Sequence, residues 1–189
     1  MTGAPRPRRR LSRARAAFNL AALLAGIWTF LVEPYRLEVT RHPVVVPGGD
    51  AALTIAHLSD LHSHGFGRRE RALVEALRAA KPDAIVLTGD TVDDGSDAVI
   101  REVVQHLRAP LGVFAVLGNW EHWAQVPEPA AAFRAAGATL LENEARELRP
   151  GLWLVGLDDI AGFPRPDRAF REVPANATTI ALLHSPAYF

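Results

Sequence analysis

The chain has 189 residues, room for one domain and an appendage. Hydrophobic residues make up 49% and charged residues 22%, which excludes a disordered chain, and the absence of Cys excludes both a disulfide framework and a thiolate metal site. The net charge is zero but uneven: residues 1–15 hold six Arg and no acid, leaving 15 basic against 21 acidic residues in the remainder, a sign that argues against a nucleic-acid partner.

In chain order, Arg6, Arg8, Arg9, Arg10, Arg13 and Arg15 precede an apolar run from Ala16 to Val32, broken only by Asn19, Gly26 and Thr29. As a helix it spans roughly 26 Å, the short end for a membrane crossing. Trp28 and Tyr35 suit an interface belt, and Glu33-Pro34 ends the helix. The preceding arginines orient such a span with the N-terminus in the cytoplasm and the body outside. A cleaved secretory signal and a buried core helix are the rival readings, although no A-x-A-like cleavage site lies between Val32 and Val39. Residues 34–50 then form a connector with one strand at Arg36–Thr40 and a turn at Pro47-Gly48-Gly49.

The domain proper runs from about Ala51 to Phe189. Strands are predicted at Leu53–Ala56, Asp83–Asp90, Leu111–Leu117, Thr139–Leu141, Ala145–Leu148, Leu152–Leu157 and Thr178–His184. Helices are predicted at Arg68–Ala80, Asp97–Leu107 and Pro129–Ala136, with a helical turn at Asp167–Val173. Alternating β and α up to about residue 136, followed by a β-rich part, suggests an α/β sandwich.

Four of these strands end in polar residues able to bind a metal: Asp60 with His62, Gly89-Asp90, Gly118-Asn119, and His184. Carboxylate, carboxamide and imidazole are the oxygen and nitrogen ligands of divalent cations. In open α/β sheets, the carboxyl ends of strands are where ligands bind. His57 lies on the opposite strand face from Asp60 and reads as a core histidine. Asp93 and Asp94 read as turn residues, and Trp120 and Trp123 as an apolar wall or as packing.

This constellation, with Ile55–His62 reading I-A-H-L-S-D-L-H, resembles the calcineurin-like metallophosphoesterases, and most of all their bacterial membrane-associated branch. The resemblance covers Leu53 to Phe189. It implies a β-sandwich flanked by helices in α-β-β-α layers, and two metals about 3.5–4 Å apart that clamp both oxygens of the displacement. Carried over residue by residue, Asp60 and His62 bind the first metal, Asp90 bridges, and Asn119 and His184 bind the second. The implied cofactors are two divalent ions (Mn, Fe or Zn), and the implied nucleophile is a metal-bound hydroxide.

The chain departs from the family pattern twice. The usual G-N-H-[DE] is Gly118-Asn119-Trp120-Glu121-His122, so the histidine that acts on the leaving oxygen is replaced by Trp120, with His122 and His64 as its candidate substitutes. The family's G-H-x-H element, which supplies a ligand to each metal, does not occur in the chain, so either the domain is C-terminally incomplete or the site is short of two ligands. Asp158-Asp159 resembles a family G-x-D-D element and is not expected to hold metal. The expected protein is a single-pass membrane enzyme with an extracytoplasmic catalytic domain. Its substrate is a phosphodiester, a phosphomonoester or a lipid-linked pyrophosphate. The rival is a membrane-anchored binding protein, or an inactive fragment, that keeps the fold.

Overall fold

The computed structural model describes residues 8–45, 52–93 and 95–188, so the predicted turn at 47–49, the domain start at Ala51, and Asp94 lie outside the described residues. The chain forms two units, Met1–Thr40 and Arg41–Phe189.

In the first unit, helix α1 (Arg8–Ile27) continues through a π-helical turn at Trp28–Val32 into a 3-10 turn at Glu33–Tyr35. The widening has a local cause. Pro34 has no N–H and its ring crowds the carbonyl four residues back. The Glu33 amide reaches to the Trp28 carbonyl, five residues back. Residues Arg13–Tyr35 are long and apolar enough to cross a membrane, and none of that stretch is buried in protein. Trp28 Nε1 donates to Glu33 Oε2 at 3.0 Å, and the Arg36 guanidinium lies over the Trp28 ring. The strand predicted at Arg36–Thr40 is absent: among the described residues no strand pairs with it, and an extended segment without a ladder partner is not held as a strand.

The second unit is a two-sheet sandwich. Strands β1 (Ile55–Leu58), β2 (Ala84–Thr88), β3 (Val113–Val116) and β4 (Thr139–Leu140) form a parallel sheet in that order. Strands β5 (Glu144–Arg149), β6 (Leu152–Gly156) and β7 (Thr178–Leu182) form the second, with β5 antiparallel and β7 parallel to β6. Strands β2 and β3 are buried on both faces, which explains their unbroken apolar sequence. Alternate residues divide between two cores. Ile85, Leu87, Val113 and Ala115 pack under helices α2 (Arg68–Ala80), α3 (Asp97–Val104) and α5 (Pro129–Ala135). Ala84, Val86, Phe114 and Val116 meet Leu148, Leu152, Leu154 and Leu182 of the second sheet. The outer face of that sheet is closed by Val155, Leu157 and Ala169, the last on helix α6 (Pro166–Ala169). The layers are therefore α-β-β-α, as the family resemblance implies.

Two predicted helices are shorter than expected. Helix α3 ends at Val104 because the next turns tighten: His106 and Leu107 donate to Val103 and Val104, three residues back, and Leu107 stays buried. The turn predicted at Asp167–Val173 forms only its first half, as α6. One helix was not predicted, α4 (Asn119–Trp123), just after β3. Gly118 and Glu121 carry the capping-box spacing that marks its start. His57 is no core histidine. It is exposed, because β1 is an edge strand, and its Nε2 lies 2.7 Å from Thr88 Oγ1.

Candidate metal centre

The loops after β1 and β2 run side by side. The amides of Asp60, His62 and Ser63 donate to the carbonyls of Gly89, Asp90 and Thr91 at 3.2, 2.9 and 3.0 Å. This ladder carries the strand register past the sheet edge and sets Asp60 and His62 beside Asp90. All three adopt left-handed backbone, with φ of +53°, +42° and +52°. Few non-glycine residues do so, and such positions concentrate at functional sites. One donor atom from each of the three lies within 4.8 Å of the others, the separation at which they can share an ion.

Asp90, nearly fully buried, is the centre of the group. Its Oδ2 lies 3.6 Å from His62 Nε2 and 3.4 Å from His184 Nε2. Its Oδ1 accepts from the Trp120 amide at 2.9 Å. Asn119 Oδ1 lies 3.0 Å from His184 Nε2. The five residues read as metal ligands in the sequence are thus brought together.

The surroundings of His184 test whether a cation fits. Nδ1 lies 2.8 Å from the Thr88 carbonyl, which can only accept, so Nδ1 carries the proton. Nε2 is left facing Asp90 Oδ2 and Asn119 Oδ1, so a nitrogen and two oxygens of metal-ligating type converge on one point. His62 is similar, with a carboxylate beside each nitrogen: Asp90 at Nε2, and Asp93 Oδ1 at 3.2 Å from Nδ1. The Asp93 contact is close enough for an ion pair but is not aligned as a hydrogen bond. The donor set, two carboxylates, two imidazoles and a carboxamide, fits divalent metal.

The residues around the group hold it in place. Gly89, at φ +89°, passes so close to Gly118 that an added Cβ would stand 2.6 Å from the Gly118 Cα and 2.7 Å from His184 Nδ1. The buried Glu121 accepts from the amides of Gly118, Asp90 and Thr91 at 2.8, 2.9 and 2.6 Å, so one carboxylate pins the ends of β2 and β3 together. Behind the first loop, Glu70 is buried. Burial alone would raise its pKa, but backbone amides, the Arg69 guanidinium and the Ser63 hydroxyl hold it below the usual carboxylate range.

The two histidines read as catalytic candidates part company. His64 is exposed, with Nε2 3.3 Å from Asp93 Oδ2, so Asp93 links it to His62. His122 instead turns to the buried Asp158: Nε2 lies 2.7 Å from Asp158 Oδ1, and this bond holds the His122 pKa above its ordinary value. At the position of the family histidine, the Trp120 ring stands edge-on to His62, 5.6 Å between centroids. Sequence reasoning missed the Asp93 link and the Asp158–His122 pair, since no local spacing signals either. A separate cavity of about 370 Å³, lined by Glu144, Arg146 and Arg168 among others, contains none of these residues.

A sandwich of one parallel and one mixed sheet carries a carboxylate and imidazole cluster at its strand ends, and a family model of calcineurin-like phosphoesterases, a class of metal-dependent hydrolases, matches residues 53–188. The chain belongs to the calcineurin-like phosphoesterase family. It is 33% identical over 179 residues to an uncharacterized metallophosphoesterase of Aquifex aeolicus, covering 87% of this chain and 68% of the relative. It is 27% identical over 171 residues to the metallophosphoesterase YkuE of Bacillus subtilis, covering 82% of this chain and 59% of that protein. It is 31% identical over 147 residues to the UDP-2,3-diacylglucosamine pyrophosphatase LpxG of Chlamydia muridarum, covering 72% and 43%.

Proposed function

We propose that the protein hydrolyses phosphoester bonds at a site for two divalent cations, Asp60 and His62 holding one, Asn119 and His184 the other, and Asp90 shared. The observation that carries this is the position of the Asp90 carboxylate between two imidazole nitrogens, at 3.6 and 3.4 Å. Cations bound there supply the charge that polarises a phosphoryl oxygen and makes water nucleophilic near neutral pH. Mn, Fe and Zn all suit the donors.

The chain's own residues set up this chemistry. The Thr88 carbonyl holds the His184 ring through Nδ1, as such acceptors do behind metal-binding histidines, and the Asp93 carboxylate adds negative charge 3.2 Å from His62 Nδ1. Of the two histidines, His64 is taken as the group that protonates a leaving oxygen, because it is exposed and its Nε2 meets Asp93 at 3.3 Å, whereas His122 is bonded at 2.7 Å to the buried Asp158. The substrate is a phosphodiester, a phosphomonoester or a lipid-linked pyrophosphate; a pyrophosphate is the bond named for LpxG. The segment Arg13–Tyr35 serves as an uncleaved anchor with the catalytic unit on the extracytoplasmic side.

The test uses the 189-residue protein, two artificial phosphodiesters that differ in leaving-group pKa, and the variants Asp90→Asn, His64→Ala and His122→Ala. Asp90→Asn keeps the shape but removes the shared charge. It is expected to abolish turnover of both diesters and to lower metal content by elemental analysis, while circular dichroism stays that of the parent. His64→Ala is expected to lose about 10²–10⁴-fold on the poor leaving group and little on the good one. Asp90→Asn turning over both diesters at the parental rate would overturn the two-metal reading. A leaving-group dependence seen only in His122→Ala would move the acid to His122.

A further inference from the structure

Beside the metal centre stand side chains that folding gives no reason to leave in water. On α4, Trp120 is 37% and Trp123 68% exposed, with ring centroids 6.3 Å apart. On the neighbouring turn, Ile160 is 52% and Phe163 80% exposed. The two segments are joined by the His122–Asp158 bond, and Gly162 lies against the His122 ring where a Cβ has no room. Phe163 also holds φ at +68°, a left-handed backbone that bulky side chains avoid. It thus pays twice, in backbone strain and in exposed ring surface. Residues that break local rules without a packing return mark functional sites.

At its tryptophan end this ridge reaches the metal centre, because the Trp120 ring meets His62 edge-on at 5.6 Å, 88° between planes. Its shape indicates the occupant. Trp120 and Trp123 meet at 61°, which leaves no parallel slot for a flat base, and Ile160 is aliphatic. A flexible hydrocarbon chain covers such a surface. The same chain carries Arg13–Tyr35, apolar enough to enter a membrane, where molecules with such chains concentrate.

We propose that Trp120, Trp123, Ile160 and Phe163 form an apolar subsite for the hydrocarbon chain of an amphiphilic phosphoester whose phosphoryl group is held at the Asp90 cluster. This rests on the phosphoesterase reading and narrows its substrate class. The test uses the full chain in phosphatidylcholine nanodiscs with two p-nitrophenyl phosphodiesters, one bearing a methyl and one a dodecyl group. The parent is expected to favour the dodecyl ester in kcat/KM. Phe163→Gly and Trp123→Ala are each expected to lower the dodecyl-to-methyl ratio about tenfold, mainly through KM. Glycine suits the backbone at position 163, so that variant retains the fold. An unchanged ratio in both variants overturns the subsite. So does a loss seen in nanodiscs that vanishes in detergent micelles, which would assign the ridge to the bilayer. If the parent turns over neither diester, the phosphoesterase reading has failed. The subsite is then read from tryptophan fluorescence on titrating dodecyl phosphate against methyl phosphate: tighter dodecyl binding that both variants weaken supports it, and equal binding of the two overturns it.

Discussion

At the scale of single residues, Glu121 does the most with the least sequence signal. It is buried, and it satisfies three amides from two different strand ends. Removing it strands those donors away from water, at about 1–3 kcal/mol for each one left unpaired. Glu121→Ala is therefore expected to destabilise the fold by roughly 3 kcal/mol or more, and Glu121→Gln, which keeps one acceptor oxygen, by less. Thermal unfolding of the two variants checks the order. A parental melting temperature in Glu121→Ala would mean that water or another acceptor replaces the carboxylate. Glu121 belongs to the motif legible in the sequence, but its partners at Asp90 and Thr91, about thirty residues away, are not.

At the scale of elements, α4 is held to the 160–162 turn by the His122–Asp158 bond, and the pH dependence of that bond has a definite sign. The folded pKa of His122 is raised, first by the hydrogen bond it donates to Asp158. The stabilisation is therefore complete below the ordinary histidine value of about 6.5 and is lost as pH rises through the folded value. The difference in melting temperature between the parent and His122→Gln is expected to be largest near pH 6 and to shrink at higher pH. A difference that grows with pH would mean that the neutral imidazole is the form the fold prefers. At the crossing of the β2 and β3 ends, Gly89→Ala is expected to disturb the centre. Its Cβ would meet both the Gly118 backbone and the His184 ring, and its φ of +89° is costly for alanine. Reduced binding of Mn or Zn by calorimetry, with the far-ultraviolet circular dichroism retained, is the expected result; parental affinity would mean the loops have room to part.

At the scale of the whole molecule, the two units differ in what they bury. The second buries its apolar residues between its layers, while Phe18, Leu20, Leu23, Leu24, Phe30 and Leu31 of the first stay exposed. A segment apolar on all sides is stable in a bilayer and costly in water. Cell fractionation is expected to find the protein in membranes, with the second unit digested by protease added from the extracytoplasmic side. A mature N-terminus beginning after Val32 would instead show that the segment is a cleaved signal.

The linear order of residues determined much of this protein. Asp60, His62, Asp90 and Asn119 come together because a parallel sheet delivers the ends of its strands to one edge, and His184 joins them from the end of β7 in the second sheet. The α2 boundaries followed from helical apolar spacing. Arg36–Thr40 misled because alternation says only that a segment is able to pair, and a strand also needs a neighbour. Tertiary structure alone decided what depends on the approach of distant segments. It turned His122 toward Asp158 and left His64 on Asp93, although both histidines lie near metal-ligand motifs in the chain. It also set Phe163 in the open on the turn that the Asp158–His122 bond ties to α4, since exposure depends on what the remaining layers cover.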